Sequence, residues 1–164
     1  MESGYHRFMK MSAGVEWAIH CCLVLSQAEG PVPSSRLAEF HDVSRTYLAK
    51  NLQALSRAGL VSPTEGRDGG YLLTRDAAAI SVLEIVQAID GADPAFRCTE
   101  IRQRGPMPAS KEACRRPCVI AKAMADAELA WRASLAAVSV ADLADGLATT
   151  VGPKVMTGLR GWLA

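Results

Sequence analysis

A change of hydrophobic period near residue 60 is the feature that most constrains what this 164-residue chain can fold into. Before that point, apolar residues recur at three- and four-residue intervals, which is the spacing of one face of a helix. This spacing predicts helices over residues 12–29, 34–40 and 44–58. Because only residues 41–43 separate the second helix from the third, the pattern predicts a helix-turn-helix.

The period after residue 60 is that of β-strands. Residues 60–64 and 71–74 are short apolar runs, and the glycine-rich turn 66–70 lies between them. This arrangement predicts a β-hairpin. Two helices joined by a tight turn and followed by a hairpin predict a mainly α-helical fold with a small β-hairpin wing, which is a winged helix-turn-helix.

The rest of the chain is predicted to form helices around one long loop. Ser81 and Glu84 form a capping box that opens a short helix. Residues 92–117 hold four of the eight prolines and show no sustained period, which predicts a long ordered loop. A three- and four-residue spacing from residue 119 predicts a long helix, followed by a weaker helix at 140–147. The resulting boundaries are an N-terminal extension at 1–8, a winged helix-turn-helix domain at 9–91, a loop at 92–118, and a long helix with the C-terminal tail at 119–164.

The third predicted helix and the hairpin carry side chains suited to DNA. A recognition helix reads base edges from its exposed N-terminal side chains, while basic groups hold the phosphates. Five basic residues against two acidic ones give residues 44–75 a local charge of about +3, whereas the whole chain carries +1. The glycines at the hairpin tip allow close approach to the sugar-phosphate chain, so that Arg67 can enter the minor groove or contact a phosphate. The candidate DNA-binding residues are Ser44, Arg45, Thr46, Tyr47, Lys50, Arg57, Arg67, Gly69 and Gly70, and Asn51 is also expected on the outer face of the helix.

Composition excludes several other classes of protein. The chain is 49% apolar and 21% charged, which is ordinary for a folded protein. No apolar run approaches the roughly 20 residues of a membrane helix, and residues 1–8 lack the apolar core of a signal peptide. The sequence also shows no nucleophile motif and no phosphate-binding loop. We therefore expect a cytoplasmic protein that binds double-stranded DNA, does not bind a membrane and is not an enzyme.

The five cysteines predict either packing or metal and redox chemistry. An odd number of cysteines without an export signal argues against a disulfide framework. Cys21 and Cys22 fit the apolar side of the first helix and are assigned to packing. Cys98, Cys114 and Cys118 lie in the proline- and arginine-rich loop, where burial is the weakest explanation. Their spacing lacks the C-x2-C pair typical of a structural zinc site, which disfavours zinc without excluding it.

Glu16 and His20 are a second candidate for metal ligation. They are four residues apart on the first predicted helix, so both side chains can reach one ion if the imidazole is neutral. The alternative is an ordinary surface pair. Cysteine thiolates are the preferred ligands of iron–sulfur clusters, and imidazole in place of thiolate raises the reduction potential.

Four stretches of the sequence resemble the winged-helix iron–sulfur regulators of the IscR and NsrR family, namely residues 14–22, 44–60, 69–74 and 94–106. The chain resembles the redox-sensing members of this family most, and the resemblance covers residues 9–137. It implies a homodimeric transcriptional regulator that binds an operator in double-stranded DNA and holds a 2Fe–2S cluster. It also implies that the long helix is the dimerisation helix, which the small alanines along that helix would accommodate.

The resemblance places the cluster ligands at Glu16, His20, Cys98 and Cys118, and leaves Cys114 spare. It implies that one subunit provides the first-helix pair and the other provides the cysteines. The cluster would then lie at the subunit interface, and 92–118 would be the cluster-binding loop. Many family members have three closely spaced cysteines, whereas fifteen residues separate the first two loop cysteines here. An alternative set of cluster ligands, made of all three loop cysteines and either Glu16 or His20, therefore stays open.

Two other functions stay open as well. One is a cluster-free or zinc-binding winged-helix regulator that senses a metabolite, and the other is an iron–sulfur electron-transfer domain, against which the wing argues. For a redox sensor, a one-electron change near Glu16 and Trp17 would tilt the first helix and change the spacing of the two recognition helices. The alternative role for Trp17 is core packing.

Overall fold

A computed structural model describes residues 11–164, so the N-terminal extension predicted at 1–8 lies outside the described residues. The described chain falls into two compact units. Residues 11–92 and 135–164 form one, which we call the winged-helix unit, and residues 93–134 form the other, which we call the cysteine unit.

Three helices open the winged-helix unit: α1 (Ala13–Ser26), α2 (Ser34–Phe40) and α3 (Arg45–Arg57). The turn between α2 and α3 reverses at Asp42, whose φ of 51° is in the left-handed region. Ser44 then caps α3, because its hydroxyl accepts a hydrogen bond from the backbone N–H of Tyr47 at 3.2 Å. The predicted helix-turn-helix is confirmed.

The predicted hairpin is also present. Strands β1 (Val61–Thr64) and β2 (Gly70–Leu73) pair in antiparallel fashion. Val32, in the link between α1 and α2, exchanges two backbone hydrogen bonds of 2.9 Å with Tyr71 and so ties the hairpin to the helices. A Cβ on Gly70 would lie 2.4 Å from the Val32 carbonyl, which explains why glycine starts the second strand. The mainly α-helical fold with a β-hairpin wing is therefore confirmed.

Helix α4 (Val82–Asp90) follows the hairpin and begins with the predicted capping box. The Ser81 hydroxyl accepts from the Glu84 backbone N–H, and the Glu84 carboxylate accepts from the Ser81 backbone N–H at 2.8 Å. This second contact is the main reason that the pKa of Glu84 lies below its ordinary value. The capping box fixes the start of α4 against the core.

The cysteine unit consists of the irregular segment predicted from the sequence and most of helix α5 (Val119–Ala136). The segment contains two short 3-10 turns, Ile101–Gln103 and Ala113–Arg115. Helix α5 buries none of its residues in the single chain.

Two helices end the chain: α6 (Val140–Val151) and α7 (Pro153–Leu163). Helix α6 is four residues longer than the predicted 140–147, and α7 replaces what the sequence indicated only as a tail. Gly152, with φ of 82°, ends α6, and Pro153 occupies the first turn of α7, where its missing N–H has no cost. Both helices belong to the winged-helix unit.

The core of the winged-helix unit is built from α1, α3, α4 and the C-terminal helices. Cys21 and Cys22 are fully buried in it, which confirms their assignment to packing. Burial raises the pKa of both thiols to about 12, so neither is reactive near neutral pH. Within residues 11–164, no helix combines the length and the apolar character needed to span a bilayer. The largest fully buried side chains include Leu37, Leu48, Leu52, Leu55, Ile80 and Ile85.

Candidate DNA-binding surface and metal-ligand groups

Helix α3 has one face in the core and one face in solvent. Its buried leucines recur at three- and four-residue intervals, so the side chains between them point outward. Among residues 11–164, Arg45 and Lys50 have no ion-pair partner, so both charges are available to phosphates. The exposed residues of the predicted DNA-binding set on this helix and its cap are Ser44, Arg45, Thr46, Tyr47, Lys50 and Arg57.

Asn51 lies on the buried face of α3, contrary to the expectation from the sequence. It was expected on the outer face, but it is 7% exposed and faces α1. A Cβ on Gly14 would lie 2.8 Å from the Asn51 amide oxygen, so the two helices touch here. The expectation was wrong because Asn51 lies three residues after Leu48, on the stripe that packs inward.

The tip of the wing exposes Arg67. Gly66 has a φ of 107°, and the Gly69 backbone N–H donates to its carbonyl at 3.1 Å. A Cβ on Gly69 would lie 2.4 Å from the Thr64 carbonyl oxygen, so the tight turn depends on glycine. Gly69 and Gly70 are both half-buried in this turn, which makes their role conformational.

Arg75 does not belong to the same basic surface. It forms an ion pair with Glu84, and its Nε donates to the Ala79 carbonyl at 2.9 Å. The charge that the region 44–75 can offer to phosphates therefore falls from about +3 to about +2 once Arg75 is neutralised. The exposed cations that remain on the recognition helix and the wing tip are Arg45, Lys50, Arg57 and Arg67.

Glu16 and His20 are exposed on one face of α1, as their spacing predicted. Neither side chain makes a hydrogen bond within residues 11–164. Both border an open groove of about 520 Å³ in the winged-helix unit. The apolar lining of this groove includes Val15, Ile19, Val82, Val86 and Leu135.

Rings connect this face of α1 to the start of α3. The His20 ring lies 5.7 Å from the His41 ring, and Trp17 lies 5.8 Å from His41 and 6.2 Å from Tyr47, all edge to face. His41 is half-buried, and its Nε2 has no hydrogen-bond partner within residues 11–164. Burial, and then the neighbouring His20, lower the pKa of His41 and favour its neutral form.

Cys118 lies at the residue before α5, where its sulfur accepts from the backbone N–H groups of Ala121 and Ile120. These two donors lower the pKa of the thiol, and Arg102 lowers it further. The site therefore favours thiolate, the form that ligates metal.

Arg102 is the residue of this site that the sequence did not indicate. Its guanidinium pairs with Glu100 and donates to the Arg116 carbonyl at 3.1 Å, and it interacts electrostatically with the Cys114 and Cys118 thiols. The guanidinium therefore lies within electrostatic range of both thiols. The sequence does show a basic residue in the loop that contains the cysteines. It does not distinguish Arg102 from the other arginines of that loop.

Cys98 adjoins the same end of α5. It is exposed, and together with Phe96, Ala121 and Met124 it lines a small cavity of about 120 Å³. Ala121 also donates its N–H to Cys118, so both predicted cysteine ligands adjoin this residue. Cys114 is half-buried in the second 3-10 turn.

The predicted metal ligands thus form two pairs, one in each unit. Glu16 and His20 share a face of α1, whereas Cys98 and Cys118 share the first turn of α5. In the part of the chain that the structure describes, no three His, Cys, Asp or Glu side chains come together as a ready-made metal site.

The fold and its exposed surface define the class of this protein. A recognition helix with exposed cations, held by a tight turn and followed by a glycine-tipped wing, is the architecture of a winged helix-turn-helix DNA-binding regulator.

Comparison with known proteins identifies the family. Residues 11–146 match the Rrf2 family of iron-dependent transcriptional regulators, and the chain belongs to this family. The HTH-type transcriptional regulator IscR of Xenorhabdus nematophila is 38% identical over 92 residues, which is 55% of this chain and 56% of that protein. IscR of Escherichia coli is 36% identical over 92 residues, 55% of this chain and 57% of that protein. The matches therefore span little more than half of these curated relatives.

Solved structures share the fold. CymR of B. subtilis superposes with a TM-score of 0.63 at 23% identity, covering 84% of this chain and 98% of CymR. IscR of T. potens gives a TM-score of 0.63 at 22% identity, covering 85% of this chain and 88% of that one. The family and its relatives are transcriptional regulators, so the expectation that this chain is not an enzyme is confirmed.

Proposed function

We propose that this protein is a cytoplasmic, homodimeric regulator that binds an operator in double-stranded DNA and senses redox state through a 2Fe–2S cluster. The ligands are Glu16, His20, Cys98 and Cys118, and residues 92–118 form the cluster-binding loop. The observation that carries the proposal is the placement of Cys98 and Cys118 around the first turn of α5, where Ala121 borders the cavity that Cys98 lines and donates its backbone N–H to the Cys118 sulfur. The iron dependence in the description of the family supports it.

The chemistry of the donor set fits the cluster. Iron–sulfur clusters are held by thiolates, and imidazole can replace thiolate at one iron. Cys98 and Cys118 adjoin one turn of α5, which suits two ligands to one iron. Glu16 and His20 are exposed, and their side chains make no hydrogen bond within residues 11–164, so ligation breaks no existing bond there.

Helix α5 supports the homodimer. It has 18 residues and buries none of them in the single chain, and Val119, Ile120 and Leu129 are 81%, 58% and 66% exposed. Most of the stability of a helix in a protein comes from packing of its apolar face. A second copy of the same helix would cover these apolar side chains. In the proposed dimer one subunit provides Glu16 and His20, and the other provides Cys98 and Cys118.

When bound, the cluster supplies a one-electron change of charge beside its ligands. The chain itself connects those ligands to the DNA surface through α1. Gly14 touches Asn51, and the Trp17 ring contacts the Tyr47 ring, so a tilt of α1 displaces the start of α3. Two recognition helices must keep a spacing of about 34 Å to fit both half-sites. A tilt therefore changes operator affinity.

The ligand set is tested by anaerobic purification of three proteins: the unmodified chain, His20→Ala and Cys114→Ser. We expect visible absorption and about two irons and two sulfides per cluster in the unmodified chain and in Cys114→Ser. We expect loss or a marked shift of the absorption in His20→Ala.

The opposite pattern, with Cys114→Ser colourless and His20→Ala unaffected, would move the assignment to the three cysteines with Glu16. A colourless, iron-free unmodified chain would contradict the cluster. Zinc in that colourless protein would identify a zinc-binding regulator.

A further inference from the structure

The C-terminal helix α7 lies beyond the part of the chain that matches the family. The family match ends at residue 146, before the last turn of α6, and α7 begins at Pro153. We propose that α7 braces α2 of the helix-turn-helix and that Trp162 is the positioning residue of this brace. The inference rests on the DNA-binding part of the proposed function and is independent of the cluster.

Trp162 holds α2 by three contacts. Its ring lies 5.4 Å from the Phe40 ring, and the Arg36 guanidinium carbon lies 4.8 Å from the centre of the indole. The Arg36 guanidinium also donates a hydrogen bond to the Trp162 carbonyl. That carbonyl is in the last turn of α7 and has no partner inside the helix, so the contact satisfies it and places a cation at the negative end of the helix dipole.

Helix α7 is also fixed on the core along its length. Met156 is 4% exposed, and Leu163 packs against the core of the winged-helix unit. Arg160 donates to the Gln27 amide oxygen, just after α1, at 3.0 and 3.2 Å. Helix α7 thus connects the end of α1 to α2.

Helix α2 needs an external support more than its neighbours do. It has seven residues, of which Leu37 and Ala38 are buried. A helix this short gains little stability from its own backbone hydrogen bonds. Phe40 is its last residue, directly before the turn into α3, so the ring contact with Trp162 lies where α2 sets the orientation of the recognition helix.

This geometry makes a specific prediction for DNA. In a helix-turn-helix, the first helix lies across the backbone and fixes the angle at which the recognition helix enters the groove. Loss of the brace should therefore weaken readout of the preferred sequence. Because Arg36 is engaged by Trp162, it adds no phosphate contact of its own, and the salt dependence of binding should be unchanged.

The test compares full-length Trp162→Ala with Trp162→Phe, which keeps a ring, and with Val155→Ala, which truncates a 55% exposed side chain on the same helix. The probe is the duplex that the unmodified chain selects from a randomised library, and the readout is fluorescence anisotropy over a range of salt. We expect Trp162→Ala to bind about tenfold more weakly with the same salt slope. We expect Trp162→Phe and Val155→Ala to bind within about twofold of the unmodified chain.

Hydrogen exchange separates positioning from general stability. With the brace lost, amides of α2 should exchange faster while those of α4 keep their rate. If Trp162→Ala does not fold, Arg36→Met removes both contacts of the arginine with Trp162 and leaves the Phe40 ring contact, so binding should weaken in the same direction by a smaller factor.

Four results would contradict the brace or the proposed function. Unchanged affinity, or equally faster exchange in α2 and α4, would overturn the brace. Tighter binding with a steeper salt slope would also overturn it, because α7 would then be withholding Arg36 from a phosphate. Failure of the unmodified chain to select any duplex would contradict the proposed function itself.

Discussion

The winged-helix unit and the cysteine unit differ in how much side chain each one buries. Every buried residue among residues 11–164 lies in the winged-helix unit, whereas residues 93–134 bury none. The first unit has the core of an independent domain. The second displays apolar side chains, one exposed thiol and two half-buried thiols. In the proposed function a second copy and the cluster cover these groups.

Cys118→Ser should have the largest effect and should leave the winged-helix unit intact. The hydroxyl does not replace a thiolate as an iron ligand here, so we expect visible absorption to disappear completely. Urea unfolding of the winged-helix unit should shift by no more than about 0.5 kcal/mol, because the residue is outside its core. A coloured Cys118→Ser protein would remove this residue from the ligand set.

Leu129→Glu tests whether a second copy covers α5. The side chain is 66% exposed in the single chain. If it is buried between two copies, two-fold symmetry places two carboxylates in the interface, and dimer dissociation should increase at least about 100-fold. Analytical ultracentrifugation measures the change, with Lys122→Ala as the control at an exposed helical position. An unchanged dimer would show that α5 is not the interface.

Arg67→Ala and Arg75→Ala form a matched pair within the winged-helix unit. Arg67 is exposed at the wing tip, whereas Arg75 is paired with Glu84. Loss of a DNA contact at Arg67 should weaken operator binding about tenfold and reduce the salt slope by about one. Arg75→Ala should leave both quantities unchanged. Equal effects of the two substitutions would mean that the wing tip does not contact DNA.

Glu84→Gln should have the smallest effect of the four changes. It should lower the free energy of unfolding and alter how that free energy depends on pH. The Ser81 backbone N–H holds the pKa of Glu84 below its ordinary value of 4.5, so the carboxylate stabilises the fold above that pH and less so as pH falls through the lowered pKa. We expect Glu84→Gln to lose about 1 kcal/mol at pH 7 in urea unfolding. The difference should shrink at about pH 3. A constant difference would place the effect in packing.

The fold was predictable from the sequence wherever a local signal agreed with the packing. The Ser44 cap, the change of period at residue 60 and the Ser81 capping box each fixed an element boundary. Helix α7 was not predicted, because Gly158 and Gly161 lower its helix propensity and its stability comes from contacts with α1 and α2. Tertiary contacts of this kind leave no periodic signal.

The sequence predicted which residue types belong to the candidate site better than it predicted where their side chains lie. The exposure of Arg45, Lys50 and Arg67 followed from spacing, but Asn51 was placed on the wrong face because a polar residue was read as an exposed one. Arg102 was missed because its position near the Cys114 and Cys118 thiols depends on the path of an irregular loop, which has no period to interpret.

Redox control of DNA binding is tested by comparing operator affinity in two oxidation states of the cluster. One anaerobic preparation of the unmodified chain is divided, one half is reduced with dithionite, and both halves are titrated with the selected duplex at one salt concentration. We expect the dissociation constants of the oxidised and reduced protein to differ by at least about tenfold, which is equivalent to about 1.4 kcal/mol. Equal dissociation constants in a preparation with a full complement of iron and sulfide would contradict redox control of DNA binding.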